Sequence, residues 1–253
     1  MRFKIIASGS KANATYVETE ETKILIDVGV NYQYLLSALD SDGISPKDID
    51  AILITHTHTD HIRGLASLTK RHNIPVYVTR SMVRSIKEKV DINNIKLMEE
   101  DFILKDLNIE LIPVSHDTEG SLGFVLSKED KSLVYITDTG YINQNIFPKI
   151  KNKNIYIFES NHDEKMVMDG PYHYTVKQRV LSDFGHLSNI TAAKYLTNIV
   201  GRKTKKIILA HISDTNNTEE IAYKTVKDEL EVYGIKKEIL IAKQHEPLDM
   251  IEV

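Results

Sequence analysis

Six consecutive residues carry four side chains that can bind a metal ion: His56-Thr57-His58-Thr59-Asp60-His61. Imidazole and carboxylate groups suit a first-row divalent ion such as zinc or manganese, and iron is also compatible with them. A catalytic ion keeps one position open for water, so four ligands on one short loop exceed what a single ion needs. The spacing therefore predicts two divalent ions side by side.

The elements around this run must hold the ligands in place. The preceding residues Ala51–Thr55 are mostly aliphatic and β-branched, which is typical of a buried strand, so the ligands lie on the loop at its carboxyl end. Three later apolar runs end in the same way, at His116, Asp138 and His211. Ligand sites of α/β sheets gather beyond the carboxyl ends of strands, so seven side chains are expected to meet there.

Composition limits the class of protein. The chain has 253 residues, 42% apolar and 27% charged, with a net charge of −4, which is typical of a soluble globular protein. Mild acidity argues against nucleic-acid binding through bulk charge alone, but two bound ions would add positive charge at the site itself.

The absence of cysteine excludes disulfides, thiolate ligands and a cysteine nucleophile. The first residues are too briefly apolar for a signal peptide and no apolar run is long enough to span a membrane, so we expect a cytoplasmic protein without a membrane partner.

The rest of the chain predicts a layered α/β protein. No repeat or linker interrupts it, so residues 1–253 are expected to form a single domain. The predicted strands are 3–7, 14–18, 23–27, 76–79, 109–114, 122–127, 132–137, 155–159 and 206–210, with three further strand candidates leading to 109. The predicted helices are 32–42, a short one containing Leu65 and Leu68, 81–90, 189–200 after Ser188, and 219–233 between Thr218 and Gly234.

Further polar segments are candidates for substrate contacts. His186 precedes a predicted helix whose free N–H groups favour an anion such as phosphate, so it could donate a proton to a leaving alkoxide or brace a phosphate oxygen. The alternative is that His186 and Ser188 only cap that helix. The phosphate-binding candidates are Ser8, Ser10, Asn13, His162, His186 and Ser188. The basic residues Lys165, Lys177 and Arg179 could contact a nucleic acid or be ordinary solvated surface. Tyr172, His173 and Tyr174 could stack on bases or form a partly buried helix start.

At this point the chain resembles the metallo-β-lactamase superfamily, whose members share an αββα sandwich. The segments Ser8–Asn13, Glu159–Asp163 and Gly185–Asn189 resemble, more specifically, its YycJ (WalJ) family, which is similar to the RNase Z and phosphodiesterase branches. The resemblance implies that His56, His58 and His116 hold one ion. It also implies that Asp60, His61 and His211 hold the other, that Asp138 bridges both, and that Asp27 orients the metal loop.

The same resemblance implies 5′→3′ exonucleolytic cleavage of DNA, with DNA favoured over RNA as the partner. Two ions sharing a water would lower its pKa and yield a hydroxide that attacks phosphorus, with Asp60 and His186 as catalytic residues. The chain lacks the inserted domain with which RNase-J-like nucleases clamp RNA. Two alternatives stay open: acyl hydrolysis of a lactone or thioester by the same ions, and a non-catalytic DNA-binding regulatory module.

Overall fold

The computed structural model describes residues 1–253 and contains two seven-stranded mixed sheets. The strands of the first sheet, in chain order, are β1 (Arg2–Ala7), β2 (Ala14–Glu18), β3 (Lys23–Ile26), β4 (Ala51–Leu53), β5 (Val76–Val78), β6 (Ile95–Leu97) and β14 (Ile251–Glu252). The strands of the second sheet are β7 (Phe102–Leu104), β8 (Leu107–Pro113), β9 (Leu122–Lys128), β10 (Lys131–Ile136), β11 (Ile155–Glu159), β12 (Lys206–Ala210) and β13 (Glu238–Ile241).

Nine α-helices flank the sheets, together with four short 3₁₀ helices. The α-helices are α1 (Tyr32–Asp40), α2 (Thr59–Ile62), α3 (Leu65–Thr69), α4 (Val83–Ile86), α5 (Phe147–Ile150), α6 (Glu164–Asp169), α7 (Tyr174–Val180), α8 (Asn189–Ile199) and α9 (Glu219–Val232). None of them combines the length and the apolar character that crossing a bilayer requires.

Three apolar layers account for the αββα sandwich. In a strand, successive side chains point to opposite faces, so one strand can serve two layers. In β1, Phe3 and Ile5 belong to the layer between the two sheets, whereas Ile6 packs with the layer that contains Leu35 and Leu39 of α1. The third layer joins the second sheet to α8 and α9. The predicted αββα architecture is confirmed.

Each sheet has a parallel half and an antiparallel half. The order in the first sheet is β14-β1-β2-β3-β4-β5-β6, and β3 to β6 are parallel. The order in the second sheet is β13-β12-β11-β10-β9-β8-β7, and β10 to β13 are parallel. Parallel strands bring their carboxyl ends to one edge of a sheet, so polar residues that follow β3, β4, β10, β11 and β12 are carried to common edges.

Most predicted elements are confirmed, including the strands 14–18, 155–159 and 206–210 and the helix caps. The Ser188 hydroxyl accepts a hydrogen bond from the Thr191 amide at 3.2 Å, and Thr218 caps α9 in the same way. The predicted helix 81–90 is wrong in length: a 3₁₀ turn, Arg80–Met82, precedes the four-residue α4. Strands β13 and β14 and helix α6 were not predicted, and α7, which begins at Tyr174, was predicted only as an alternative, a helix start at 172–174. These elements are short, with only two residues in β14 and four in β13.

Candidate metal centre

The loop after β4 brings the imidazole nitrogens of His56 and His58 together with that of His116. His56 Nε2 lies 3.1 Å from His58 Nδ1, and His58 Nδ1 lies 3.3 Å from His116 Nε2. His56 and His116 are buried and His58 is half-buried. Three ring nitrogens at this separation match the donor set of a single divalent ion.

A second group of donors adjoins the first around the buried Asp138. Asp138 Oδ2 lies 3.3 Å from His61 Nε2, and Asp138 Oδ1 lies 3.3 Å from His211 Nε2. Asp60 Oδ2 lies 3.4 Å from His61 Nε2 and 3.8 Å from His211 Nε2. Asp138 also groups with His56 of the first set, so its carboxylate lies between the two sets of donors. The structure thus brings together all seven residues that the sequence suggested as ligands; we call them the seven-residue cluster.

Hydrogen bonds at the outward-facing nitrogens fix the orientation of the rings. His61 Nδ1 donates to Asp27 Oδ2 at 2.7 Å, and His116 Nδ1 donates to the Gly185 carbonyl at 3.2 Å. His211 Nδ1 donates to Glu159 Oε1 at 3.1 Å. A ring nitrogen that carries a proton for such a bond leaves the other nitrogen with a lone pair directed at the cluster.

Left-handed backbone conformations turn three strand-end residues toward the cluster. Asp27, Asp138 and His211 have φ angles of 60°, 54° and 54°. Such values are uncommon for residues other than glycine, cost about 1–3 kcal/mol each and persist where surrounding contacts require them. Asp27 and His211 directly follow β3 and β12, and Asp138 is the second residue after β10. The chain therefore turns sharply at two ligand candidates and at Asp27, the hydrogen-bond partner of a third.

The cluster fits divalent cations. Asp138 Oδ2 and His211 Nε2 are buried, yet neither takes part in a hydrogen bond. Unpartnered buried acceptors are costly, and several facing one another repel unless a cation lies among them. A set of imidazole nitrogens and carboxylate oxygens without sulfur suits zinc, manganese or iron.

The charges of the cluster perturb its ionisable groups. Burial alone would raise the pKa of Asp138, but the surrounding His211, His61 and His56 hold it well below its usual range. Burial would likewise raise the pKa of Glu159, while His186 and the hydrogen bond from His211 lower it to about 2. Desolvation lowers the pKa of His56 well below its usual value, because the buried ring loses the hydration of its charged form.

The six phosphate-binding candidates occupy different positions. Ser10 and His186 line a cavity beside the cluster. The Ser8 hydroxyl accepts from the His211 amide at 2.9 Å, and the Asn13 amide nitrogen donates to Asp60 Oδ2 at 3.2 Å. Ser188 serves as the cap of α8 and donates to Glu164 Oε1, whereas His162 is buried. Burial lowers the pKa of His162 to about 4.

Two acidic residues near the cluster were given no role from the sequence. Glu159 ends β11, is fully buried, and accepts from His186 Nδ1 at 2.7 Å as well as from His211. Asp117 Oδ1 lies 3.3 Å from His58 Nε2, and its other oxygen pairs with Arg179 of α7. The strand-end rule that singled out Asp138 and His211 also applies to Glu159, whereas nothing local to Asp117 except its neighbour His116 indicates its position.

Comparison with known proteins places the chain in a family. A family model for the β-lactamase superfamily domain matches residues 22–212. The chain belongs to the metallo-β-lactamase superfamily. Within this superfamily it is 36% identical over 236 residues to exodeoxyribonuclease WalJ of Streptococcus pneumoniae, a match that covers 90% of this chain and 88% of that protein. It is 35% identical over 242 residues to exodeoxyribonuclease YycJ of Bacillus anthracis, covering 92% and 90% of the two chains.

Solved structures of the superfamily share the fold. The metallo-β-lactamase fold protein YhfI of Bacillus subtilis superposes with a TM-score of 0.74, covering 98% of this chain and 99% of that chain at 15% identity. The predicted membership of the metallo-β-lactamase superfamily, with a resemblance to its YycJ (WalJ) family, is confirmed.

Proposed function

We propose that the chain is a divalent-metal-dependent phosphodiesterase that removes nucleotides from the ends of DNA in the 5′→3′ direction. The observation that carries the proposal is His186, a histidine held by a buried carboxylate at the mouth of the seven-residue cluster. The cluster alone is compatible with hydrolysis of many bonds. A proton donor fixed beside it is suited to a phosphodiester, whose alkoxide leaving group needs a proton.

Within this proposal, His56, His58 and His116 hold one ion and Asp60, His61 and His211 hold the other. Asp138 contacts both sets of donors and would be shared. When bound, the ions supply Lewis-acid stabilisation of charge at phosphorus and lower the pKa of water. We infer zinc or manganese, with iron as a further candidate, from the nitrogen and carboxylate donors. Because Asp60 follows a strand of the first sheet and Asp138 one of the second, residues 1–253 would act as one catalytic unit.

His186 is the residue assigned to the leaving group. Its Nδ1 donates to Glu159 Oε1, which directs Nε2 away from that carboxylate, and Nε2 makes no hydrogen bond within the protein. As the bond from a hydroxide oxygen to phosphorus forms and the bond from phosphorus to the leaving oxygen breaks, His186 Nε2 would give its proton to the leaving oxygen. The hydrogen bond to Glu159 holds the His186 ring in position for this transfer.

DNA is the substrate favoured by the similarity to the exodeoxyribonucleases WalJ and YycJ. The net charge of −4 gives the chain no general attraction for phosphates, so binding would depend on the ions and on local cations such as Arg179.

The test uses the full chain loaded with Mn²⁺ or Zn²⁺ and DNA and RNA strands labelled at the 5′ or the 3′ end. We expect release of labelled mononucleotides from 5′-labelled DNA, and little from RNA. A lactone and a thioester are measured on the same preparation. Preferential hydrolysis of either ester would overturn the proposal, as would DNA binding without cleavage at full metal occupancy.

A variant separates His186 from the metal ligands. His186→Ala is expected to keep its metal content while phosphodiester turnover falls about 10²–10⁴-fold, the usual contribution of a positioned general acid. The exposed His245 offers a matched control, and His245→Ala should behave as the unmodified chain. Unchanged turnover in His186→Ala would remove His186 from the mechanism.

A further inference from the structure

A cavity of about 190 Å³ opens beside the seven-residue cluster, next to His116 and His186. Sites for drug-sized ligands usually measure about 300–1,000 Å³, so this cavity is small and has room for a group of about the size of one base. We call it the end pocket and define it by Ser10, Asn161, Tyr172, Val176, Arg179 and Asn216, together with the neighbouring residues of its walls.

One wall of the end pocket is apolar and comes from α7 and the residues just before it. Tyr172, Val176 and Val180 line this wall. Helices of globular proteins are normally held by an apolar face packed on the core. Helix α7 is different, because none of its residues is buried. A ligand against this wall would cover apolar surface that the protein itself leaves open to solvent.

Other lining residues of the end pocket are polar, and one of them is Asn216. Asn216 is only 2% exposed, and its Oδ1 has no hydrogen-bond partner. The backbone of the same residue is held firmly, since its amide donates to Ser213 Oγ at 3.1 Å and its carbonyl accepts from the Asp163 amide at 2.9 Å. The Asn216 side chain is therefore fixed in place among the lining residues, where its carboxamide can take part in hydrogen bonds with a ligand.

A flat group with an aromatic face and a polar edge matches these apolar and polar lining residues. Nucleobases have this character: any base can stack on a tyrosine, and its edge can exchange hydrogen bonds with a carboxamide. The cavity also reaches His186, so its occupant would lie on the leaving-group side of the bond that is broken.

We propose that the end pocket binds the base of the nucleoside that leaves, with Tyr172 against the face of the base and Asn216 at its edge. This inference rests on the proposed function and specifies its substrate. A base can enter the pocket only if it is unpaired, so the substrate is a DNA end whose terminal base is free. Because the pocket has room for one base, a single nucleotide is released in each cycle.

The experiment compares a nucleotide with the same sugar phosphate lacking a base. Hydrolysis of bis(4-nitrophenyl) phosphate by the Mn²⁺-loaded full chain is measured with thymidine 5′-monophosphate or 2-deoxyribose 5-phosphate as inhibitor. We expect the nucleotide to inhibit about tenfold more strongly, in line with one stacked base. Equal inhibition by the two compounds would overturn the inference.

Two tyrosines supply a matched pair of variants. Tyr172 lines the pocket, whereas Tyr174 begins α7, is 63% exposed and does not line it. We expect Tyr172→Ala to lower the ratio of DNA turnover to bis(4-nitrophenyl) phosphate turnover about tenfold and to abolish the preference for the nucleotide inhibitor. Tyr174→Ala should leave both unchanged. Asn216→Ala, checked for folding by thermal melting, should weaken nucleotide inhibition in the same direction.

The outcomes separate this inference from the proposed function. If the unmodified chain hydrolyses bis(4-nitrophenyl) phosphate but no nucleic acid, the proposed function fails while the inhibitor comparison still tests the pocket. If DNA is degraded and Tyr172→Ala equals Tyr174→Ala in both assays, the pocket fails while the function stands. A blunt duplex degraded as fast as one with an unpaired end would also overturn the inference.

Discussion

The two sheets supply the seven-residue cluster in different ways. The first sheet contributes four side chains from one six-residue loop, His56–His61, so their relative positions are set by local backbone. The second sheet contributes His116, Asp138 and His211 one at a time, after β8, β10 and β12, so their positions depend on the register of several strands. We call the four loop ligands the first side of the cluster, and His116, Asp138 and His211 its second side. A substitution near the first side should displace only ligands of the loop, whereas a substitution near the second side should displace several ligands together.

The largest effect is expected at Asp138, where the two sides meet. Its carboxylate contacts His61 of the loop and His211 of the second sheet. Asp138→Ala should lower metal affinity by more than about 100-fold, because partners outside the coordination sphere alone contribute about 10–100-fold. Activity should become undetectable. Metal content by atomic emission after dialysis checks this, and full occupancy in the variant would contradict the ligand assignment.

The second-largest effect is expected at Glu159, which accepts hydrogen bonds from both His186 and His211. One oxygen accepts from His186 and His211, and the other accepts from the backbone amides of Thr139 and Leu187 at 2.9 and 3.2 Å. A glutamine at position 159 would direct its NH2 group, which is a hydrogen-bond donor, toward either the two histidine rings or the two backbone amides, all of which are donors themselves. Glu159→Gln should therefore lower metal affinity about 10–100-fold and turnover by at least as much.

A buried carboxylate elsewhere gives the control for this change. Glu18 is hydrogen-bonded by Arg2 and Tyr16, away from the cluster. Glu18→Gln should shift the thermal midpoint without changing metal affinity. Equal metal affinity in the two variants would mean that the second side does not depend on Glu159.

The difference between the two sides also explains what the sequence could predict. The loop was recognisable because four ligands fall within six residues, and the strand-end ligands because each follows an apolar run. Glu159 contacts residues 27 and 52 positions away, and Asp117 pairs with Arg179 across the site. Such pairings depend on how the strands and helices are arranged in space, which a single sequence does not reveal.

The secondary structure also divides into elements that the sequence predicts from local signals and elements that it does not. Strands with buried aliphatic runs and helices with side-chain caps were predicted closely, because both signals are local. Helix α7 buries none of its residues and β14 has only two, so neither carries a periodic apolar pattern. The sequence suggested Tyr172 and Arg179 as nucleic-acid contacts, but it could not show that α7 brings them into one cavity with Asn216.

A smaller effect should follow from Gly29, which supports the loop of the first side. A Cβ atom at this position would lie 1.6 Å from the carbonyl oxygen of Asp60 and 2.6 Å from the amide of Asn13. Gly29→Ala must displace the loop, so we expect a loss of about 1–3 kcal/mol in the free energy of unfolding together with weaker metal binding.

Gly43 provides the matched comparison. It has a φ of 70° and no atom within 4 Å of an added Cβ. Gly43→Ala should cost about 1–2 kcal/mol through its left-handed backbone alone and should leave metal affinity intact. Denaturant unfolding with and without metal separates the two variants. If Gly29→Ala kept the metal affinity of Gly43→Ala, the loop would tolerate displacement and the local account of the first side would be wrong.

The smallest effect is expected at the contact between Asp117 and Arg179, through which α7 is connected to His58 of the loop. Asp117 Oδ1 faces His58 Nε2 at 3.3 Å, so Asp117→Ala removes an acceptor that orients a ligand and should lower metal affinity about tenfold. The Arg179 side chain is 60% exposed, and an ion pair so open to water contributes at most about 1 kcal/mol. Arg179→Gln should therefore change metal affinity less than Asp117→Ala while raising the KM for DNA, since Arg179 also lines the end pocket. A larger loss of metal affinity in Arg179→Gln than in Asp117→Ala would mean that α7 positions His58 through Arg179. The first side would then depend on distant structure, as the second side does.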